Sequence, residues 1–113
     1  MEVRDQVKDF ATIMEEKLKE NEHKGGWDNC DNTFLFNRLL QEVTELHESL
    51  NDLKMSVEDD SSDDTQKVIA RETMRECADV ADFSMMISSN LKRKYFEEKS
   101  DNVWLLYYNL YND

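Results

Sequence analysis

The chain has no proline, and its only two glycines, Gly25 and Gly26, are adjacent. These are the residues that break helices, proline by removing a backbone N–H and clashing with the preceding turn, glycine by freeing the backbone. A chain with its breakers gathered at one point can run in long helices and is almost without turn signals. Its 113 residues suffice for one core and not for two, so residues 1–113 read as a single all-α domain.

Hydrophobic spacing places the helices. Val3, Val7, Phe10, Met14 and Leu18 recur at steps of four and three, which predicts an amphipathic helix from Val3 to about Lys19. The stretch His23 to Asp28, with its two glycines, ends it. Asn32 or Thr33 offers the N-cap of a second helix running to about Lys54, with a seam of Leu35, Leu39, Val43, Leu46, Leu50 and Leu53. The acidic tract Glu58-Asp59-Asp60-Ser61-Ser62-Asp63-Asp64 reads as a solvated link, since uniform like charge cannot pack. A third helix is expected from about Thr65 to Tyr95; its middle, Cys77 to Ile87, is apolar on several sides, which makes it the central helix. The aromatic segment from Asp101 to Tyr111 is expected to be a fourth helix capped by Asp101 or Asn102. The architecture is thus a four-helix-type bundle, and the apolar seams on three helices imply that it assembles as an oligomer.

Charge narrows the partners. With 14 basic against 26 acidic residues the formal net charge is -12, which repels a nucleic-acid backbone and requires a metal bridge for any anionic ligand. No apolar run approaches the roughly 20 residues that span a bilayer, and the start lacks the apolar segment of a signal peptide. With two cysteines only, Cys30 and Cys77, a cytoplasmic location without membrane contact is expected, and Cys77 reads as a small core residue.

Four acids stand apart from the rest. Residues of a helix turn by about 100° each, so Glu42 lies within about 40° of Leu46 and Leu53, and Glu45 is its neighbour on the same surface. On the third helix Glu76 and Asp79 flank Phe83 in the same projection, and Asp79 lies about 20° from Met86. Carboxylates beside an apolar face need a compensating cation, and a hard divalent ion, Mg²⁺ or Mn²⁺, takes oxygen ligands. Either acid pair alone is ordinary surface decoration; two pairs at core edges are not. Other metal designs fail on their ligands. Neither His23 nor His47 completes a Glu-x-x-His pair, the two cysteines form no zinc pair, and the aspartate clusters lack the central glycine of a calcium loop. Gly25-Gly26 has neither the spacing nor the Lys-Ser/Thr of a P-loop.

The segments Gln41-Glu42-Val43-Thr44-Glu45 and Glu76-Cys77-Ala78-Asp79, with Met14-Glu15-Glu16-Lys17-Leu18 and His23-Lys24-Gly25-Gly26-Trp27 before them, resemble the all-α nucleoside triphosphate pyrophosphohydrolases that include MazG and the dimeric dUTPases. The MazG-like branch of dATP/dGTP pyrophosphohydrolase domains is the nearest in pattern, and the resemblance spans roughly residues 8 to 87. It implies Mg²⁺-dependent hydrolysis of a nucleoside triphosphate, usually a deoxynucleotide, to the monophosphate and pyrophosphate by a metal-activated water attacking the α-phosphorus. It implies Glu42, Glu45, Glu76 and Asp79 as metal ligands, a catalytic role for Glu45 in orienting the water, and a homodimer or homotetramer. Gln41 stands where the family has its first glutamate, and the acidic insert lengthens the spacing between the two motifs.

Around these acids, Lys24 either reaches a substrate phosphate or complements the preceding helix's dipole. Trp27 either stacks on a base or plugs the end of the bundle. Asp82, one turn past Asp79, is an extra ligand or an acceptor behind the ligands. Lys92, Arg93 and Lys94 form a phosphate arm or a solvated helix end. The competing functional class is a non-catalytic acidic bundle that binds protein partners.

Overall fold

The computed structural model describes residues 1–97, all of whose regular structure is helical. Helix α1 spans Asp5–Glu20, α2 Asn32–Glu58 and α3 Asp63–Lys92; a 3₁₀ turn, Glu22–Lys24, follows α1, and a π turn, Arg93–Glu97, extends α3. The expected fourth helix at 101–111 lies outside the described residues. None of the described helices is long and apolar enough to cross a membrane.

Capping chemistry sets the boundaries. Asp31, rather than Asn32 or Thr33, is the N-cap of α2: its carboxylate accepts from the Thr33 N–H at 2.7 Å. The solvated link expected from Glu58 to Asp64 is shorter than its acidic tract, whose two ends are helical. Glu58 ends α2, Ser62 caps α3 by accepting from the Thr65 N–H at 3.2 Å, and Asp63 and Asp64 occupy the first turn, where negative charge complements the helix dipole. Only 59–62 connect the two helices. Asp60 takes a left-handed φ of 53°, which lets the Ser61 N–H reach the Ser56 carbonyl at 3.0 Å and the Asp60 N–H reach Val57 at 3.2 Å. That closure ties off the last carbonyls of α2 and turns the chain directly into α3.

α3 is central, packed against α1 and against α2. The buried positions of α2 are Leu35, Glu42, Ser49 and Ser56, one in every seven residues and three of them polar. The small Ser49 meets α3 directly, its hydroxyl 2.7 Å from that of the buried Thr73. Thr73 spends its one proton on the Ile69 carbonyl at 2.9 Å, so Ser49 is the donor in this pair.

The expected seam of α2 is therefore not its buried stripe. Of those residues Leu35 alone is buried; Leu39, Leu46 and Leu53 are half-buried, and Val43 and Leu50 are exposed. With Phe36 and Val57, also exposed, they form a row at 36, 39, 43, 46, 50, 53 and 57, alternating steps of three and four. One helix carries two stripes a residue apart: a mostly polar, buried one and an apolar one that the described residues cover only in part. α1 starts at Asp5, so Val3 of the expected row precedes it and is exposed; on the helix the row is exposed at Val7 and half-buried at Phe10, Met14 and Leu18.

Candidate metal centre

Where α2 and α3 face each other, Glu42, Glu45 and Glu76 each place a carboxylate oxygen so that all three lie within 4.8 Å of one another. Glu42 and Glu45 are three apart on one helix and Glu76 comes from the other, so the α2–α3 packing itself assembles the group. Glu42 is buried, Glu76 half-buried and Glu45 exposed.

The charges here are under-compensated. Burial, then the neighbouring Glu45 and Asp79, push the Glu42 carboxyl up to about 7, and Arg38 opposes them only in part. Burial and the adjacent Asp79 raise Glu76 as well. Asp82, 3 % exposed, is pushed up to about 7, first by burial and then by Asp79 and Glu15. One oxygen each of Glu42, Glu76 and Asp82 is buried with no hydrogen-bond partner. Buried orphan carboxylate oxygens are what a hard divalent cation would satisfy, so the residues present fit Mg²⁺ or Mn²⁺.

Asp79 shares the cavity but stands outside the three-carboxylate group, with its Oδ2 3.4 Å from Lys17 Nζ of α1. Burial disfavours the charged lysine, yet the Asp79 contact more than offsets it, so the ammonium is held above its ordinary value. The same contact does not fully compensate the acid: burial still raises the Asp79 carboxyl despite Lys17. Lys17 also lies 3.5 Å from Glu20, which Arg75 of α3 grips in turn. A second cation comes from α2. Arg38 Nη2 donates to Glu42 Oε1 at 3.1 Å, its other nitrogen donates to Gln41 Oε1, and the guanidinium lies 5.4 Å from the Phe83 ring centre. Gln41, where the family pattern has glutamate, thus anchors an arginine.

These groups open into a cavity of about 560 Å³. Its acidic wall is Glu42, Glu45, Glu76, Asp79 and Asp82; Leu18, Phe34, Leu35, Phe83 and Met86 form an apolar side, and Lys17, Lys24 and Arg38 contribute cations. Lys24 is thereby placed at the cavity, as is the glycine pair. Gly25 closes the 3₁₀ turn through its N–H to the Glu22 carbonyl at 3.0 Å and holds a φ of 92°, a conformation that strains any residue with a Cβ. Trp27 is half-buried and does not line this cavity. Its carbonyl accepts from Asn90 at 3.2 Å, and Arg93 secures the adjoining residue through the Asp28 carbonyl at 2.9 Å and carboxylate at 3.2 Å. The loop after α1 is thus tied to the far end of α3, and Arg93 of the expected basic cluster serves that tie.

Sequence reasoning missed Lys17 and Arg38. Lys17 sits seven residues after Phe10, one before Leu18 and on the half-buried side of α1, and Arg38 precedes Glu42 by one turn; both spacings were visible. No family model, no curated protein and no solved structure matches the chain.

Proposed function

We propose that the chain is a Mg²⁺-dependent nucleoside triphosphate pyrophosphohydrolase of the MazG-like kind, with Glu42, Glu45, Glu76 and Asp79 holding the cation. The observation that carries this reading is the convergence of three carboxylates from two helices within 4.8 Å, with buried orphan oxygens on two of them. When bound there, the cation supplies charge neutralisation for phosphate oxygens and lowers the pKa of water.

The chain's own residues supply the rest. Glu45 is the exposed member of the group and the one a water reaches from solvent, so its carboxylate orients the nucleophile and accepts its proton. Lys24 and Arg38 face the cavity where phosphate oxyanions would sit beside the acids. The apolar side receives the nucleoside, with Phe34 and Phe83 as the aromatic surfaces. Among the described residues no serine or histidine lines the cavity, and the Cys30 thiol that does has no role here, which favours direct attack by water at the α-phosphorus over a covalent intermediate.

The working unit in this reading is a four-helix-type bundle assembled as a homodimer or homotetramer, in which a second copy covers the outward row of α2. About six turns, or three heptads, of apolar residues at steps of three and four favour a helical partner packed along the same seam. Incubation with each common nucleoside triphosphate and Mg²⁺ in ¹⁸O-labelled water tests the chemistry. Label in the monophosphate, with pyrophosphate released, is expected; orthophosphate as first product, or label confined to pyrophosphate, refutes attack at the α-phosphorus. A protein-binding acidic bundle would show neither turnover nor saturable Mg²⁺ stabilisation.

A further inference from the structure

Lys17 occupies the place a cation would take at Asp79, and it arrives from the helix that contributes no carboxylate to the three-acid group. We infer that Lys17 is an exchangeable counter-ion: it holds Asp79 while no divalent cation is bound, and cation binding transfers its ammonium from Asp79 to the substrate's phosphates. The inference rests on the metal-dependent reading above and adds a residue and an order of events to it.

The geometry supports an exchange rather than a permanent pair. Asp79 is one helical turn from Glu76, so its carboxylate is within reach of an ion shared with that residue. Mg²⁺ demands ligand oxygens at about 2.0–2.1 Å in near-octahedral array, which leaves no room for an ammonium on the same carboxylate oxygen. A doubly charged ion there also repels the lysine. Lys17 has somewhere to go. Its nitrogen already lies 3.5 Å from Glu20, which is half-exposed and shared with Arg75, and its side chain lines the cavity with Lys24 and Arg38. A flexible four-carbon stem lets one ammonium serve both positions. The wall would then present three cations to the phosphates only after the acids have been neutralised, so the metal-free chain would not trap phosphate unproductively.

Titration calorimetry of Mn²⁺ into the metal-free full chain tests the exchange without turnover. Lys17→Met is expected to bind Mn²⁺ about threefold to tenfold more tightly than wild type, because an ion pair no longer has to be broken. Lys19→Gln, which removes the same charge from an exposed position on the same helix, should stay close to wild type. Equal Mn²⁺ affinity in wild type and Lys17→Met, or equal tightening in Lys19→Gln, overturns the inference. Melting in EDTA checks that Lys17→Met folds, and Lys17→Gln replaces it if it does not. At saturating Mg²⁺, Lys17→Met should raise KM for the best triphosphate about tenfold with a smaller change in kcat, and Lys17→Arg should recover much of it. An unchanged KM overturns the phosphate half of the exchange. Wild type that binds Mn²⁺ but cleaves no triphosphate refutes the enzymatic reading alone, and the calorimetric comparison still decides the counter-ion. Wild type that binds no Mn²⁺ overturns both.

Discussion

Removing divalent cations and raising the pH should destabilise this protein, and the size of the effect follows from Glu42. Its carboxyl titrates at about 7 in the folded chain against 4.5 ordinarily, with burial the main cause and Glu45 the next. The folded state therefore binds the Glu42 proton more strongly than the unfolded state does. The stabilising share is fully present below pH 4.5 and is lost as the pH rises through about 7. Each tenfold difference in proton affinity is worth about 1.4 kcal/mol, so between pH 5 and pH 8 the loss from Glu42 alone is on the order of 2 to 3 kcal/mol. In a domain of this size that corresponds to a fall in Tm of roughly 10 to 20 °C. Asp82, also pushed up to about 7 from 3.8, acts in the same direction. The assay is far-UV circular dichroism melting in EDTA at pH 5, 6, 7 and 8, with Glu42→Gln alongside, since the general repulsion of a net charge of -12 has the same sign. Glu42→Gln should flatten the slope. A higher Tm at pH 8 than at pH 5, or the same slope in Glu42→Gln as in wild type, refutes the reasoning.

Saturating Mg²⁺ or Mn²⁺ at pH 8 should reverse that loss, by about 2.7 kcal/mol at a hundred times Kd, and a melting curve indifferent to either ion speaks against the metal centre. Glu76→Gln and Asp79→Asn should each abolish turnover while the metal-free fold is retained or slightly stabilised; wild-type rates would remove these residues from the site. Thr73→Val leaves the Ser49 hydroxyl buried without its acceptor and should cost about 1–3 kcal/mol, whereas adding Ser49→Ala should restore most of it; denaturant midpoints that merely add disprove the pairing. Leu50→Lys on the outward row of α2 should convert an oligomer into a monomer by light scattering, and a wild type that is already monomeric at micromolar concentration overturns the assembly proposed here.

What the sequence made legible was what depends on helical geometry alone. A 100° step brings Glu42 beside Glu45 on any helix, and the apolar surroundings of Glu76 pointed it toward the same interface, so the three-carboxylate group followed. The tertiary partners were not legible. Lys17 reads as one more charged residue in Met14-Glu15-Glu16-Lys17-Leu18 until α1 is laid on α3 and its ammonium meets Asp79. The α2 seam misled for a related reason. Leucines and valines at steps of three and four mark a packing stripe without saying whether the partner is in the same chain, and the contact with α3 runs through Ser49 and Ser56, which hydrophobicity does not flag. The acidic tract read as a solvated link throughout, but position decides at its end: Asp63 and Asp64 sit where a helix start favours them, and Ser62 is their cap.

The ties between the loop after α1 and the far end of α3 bear on how the chain folds during synthesis. α2 and α3 are joined by 59–62 and can pair as a local hairpin with little loop-closure entropy. Asn90 holding the Trp27 carbonyl and Arg93 holding Asp28 instead close separations of 63 and 65 residues. The first cannot form until the ribosome has released residue 90 beyond its tunnel, nor the second until it has released residue 93. Loop-closure entropy therefore favours the carboxylates of α2 and α3 meeting first, in a hairpin still open to water on the side that α1 will cover. The glycine loop, with Lys24 at its edge, arrives afterwards. The mouth of the cavity is a late-forming element, and contacts this distant in sequence are the ones that slow folding most.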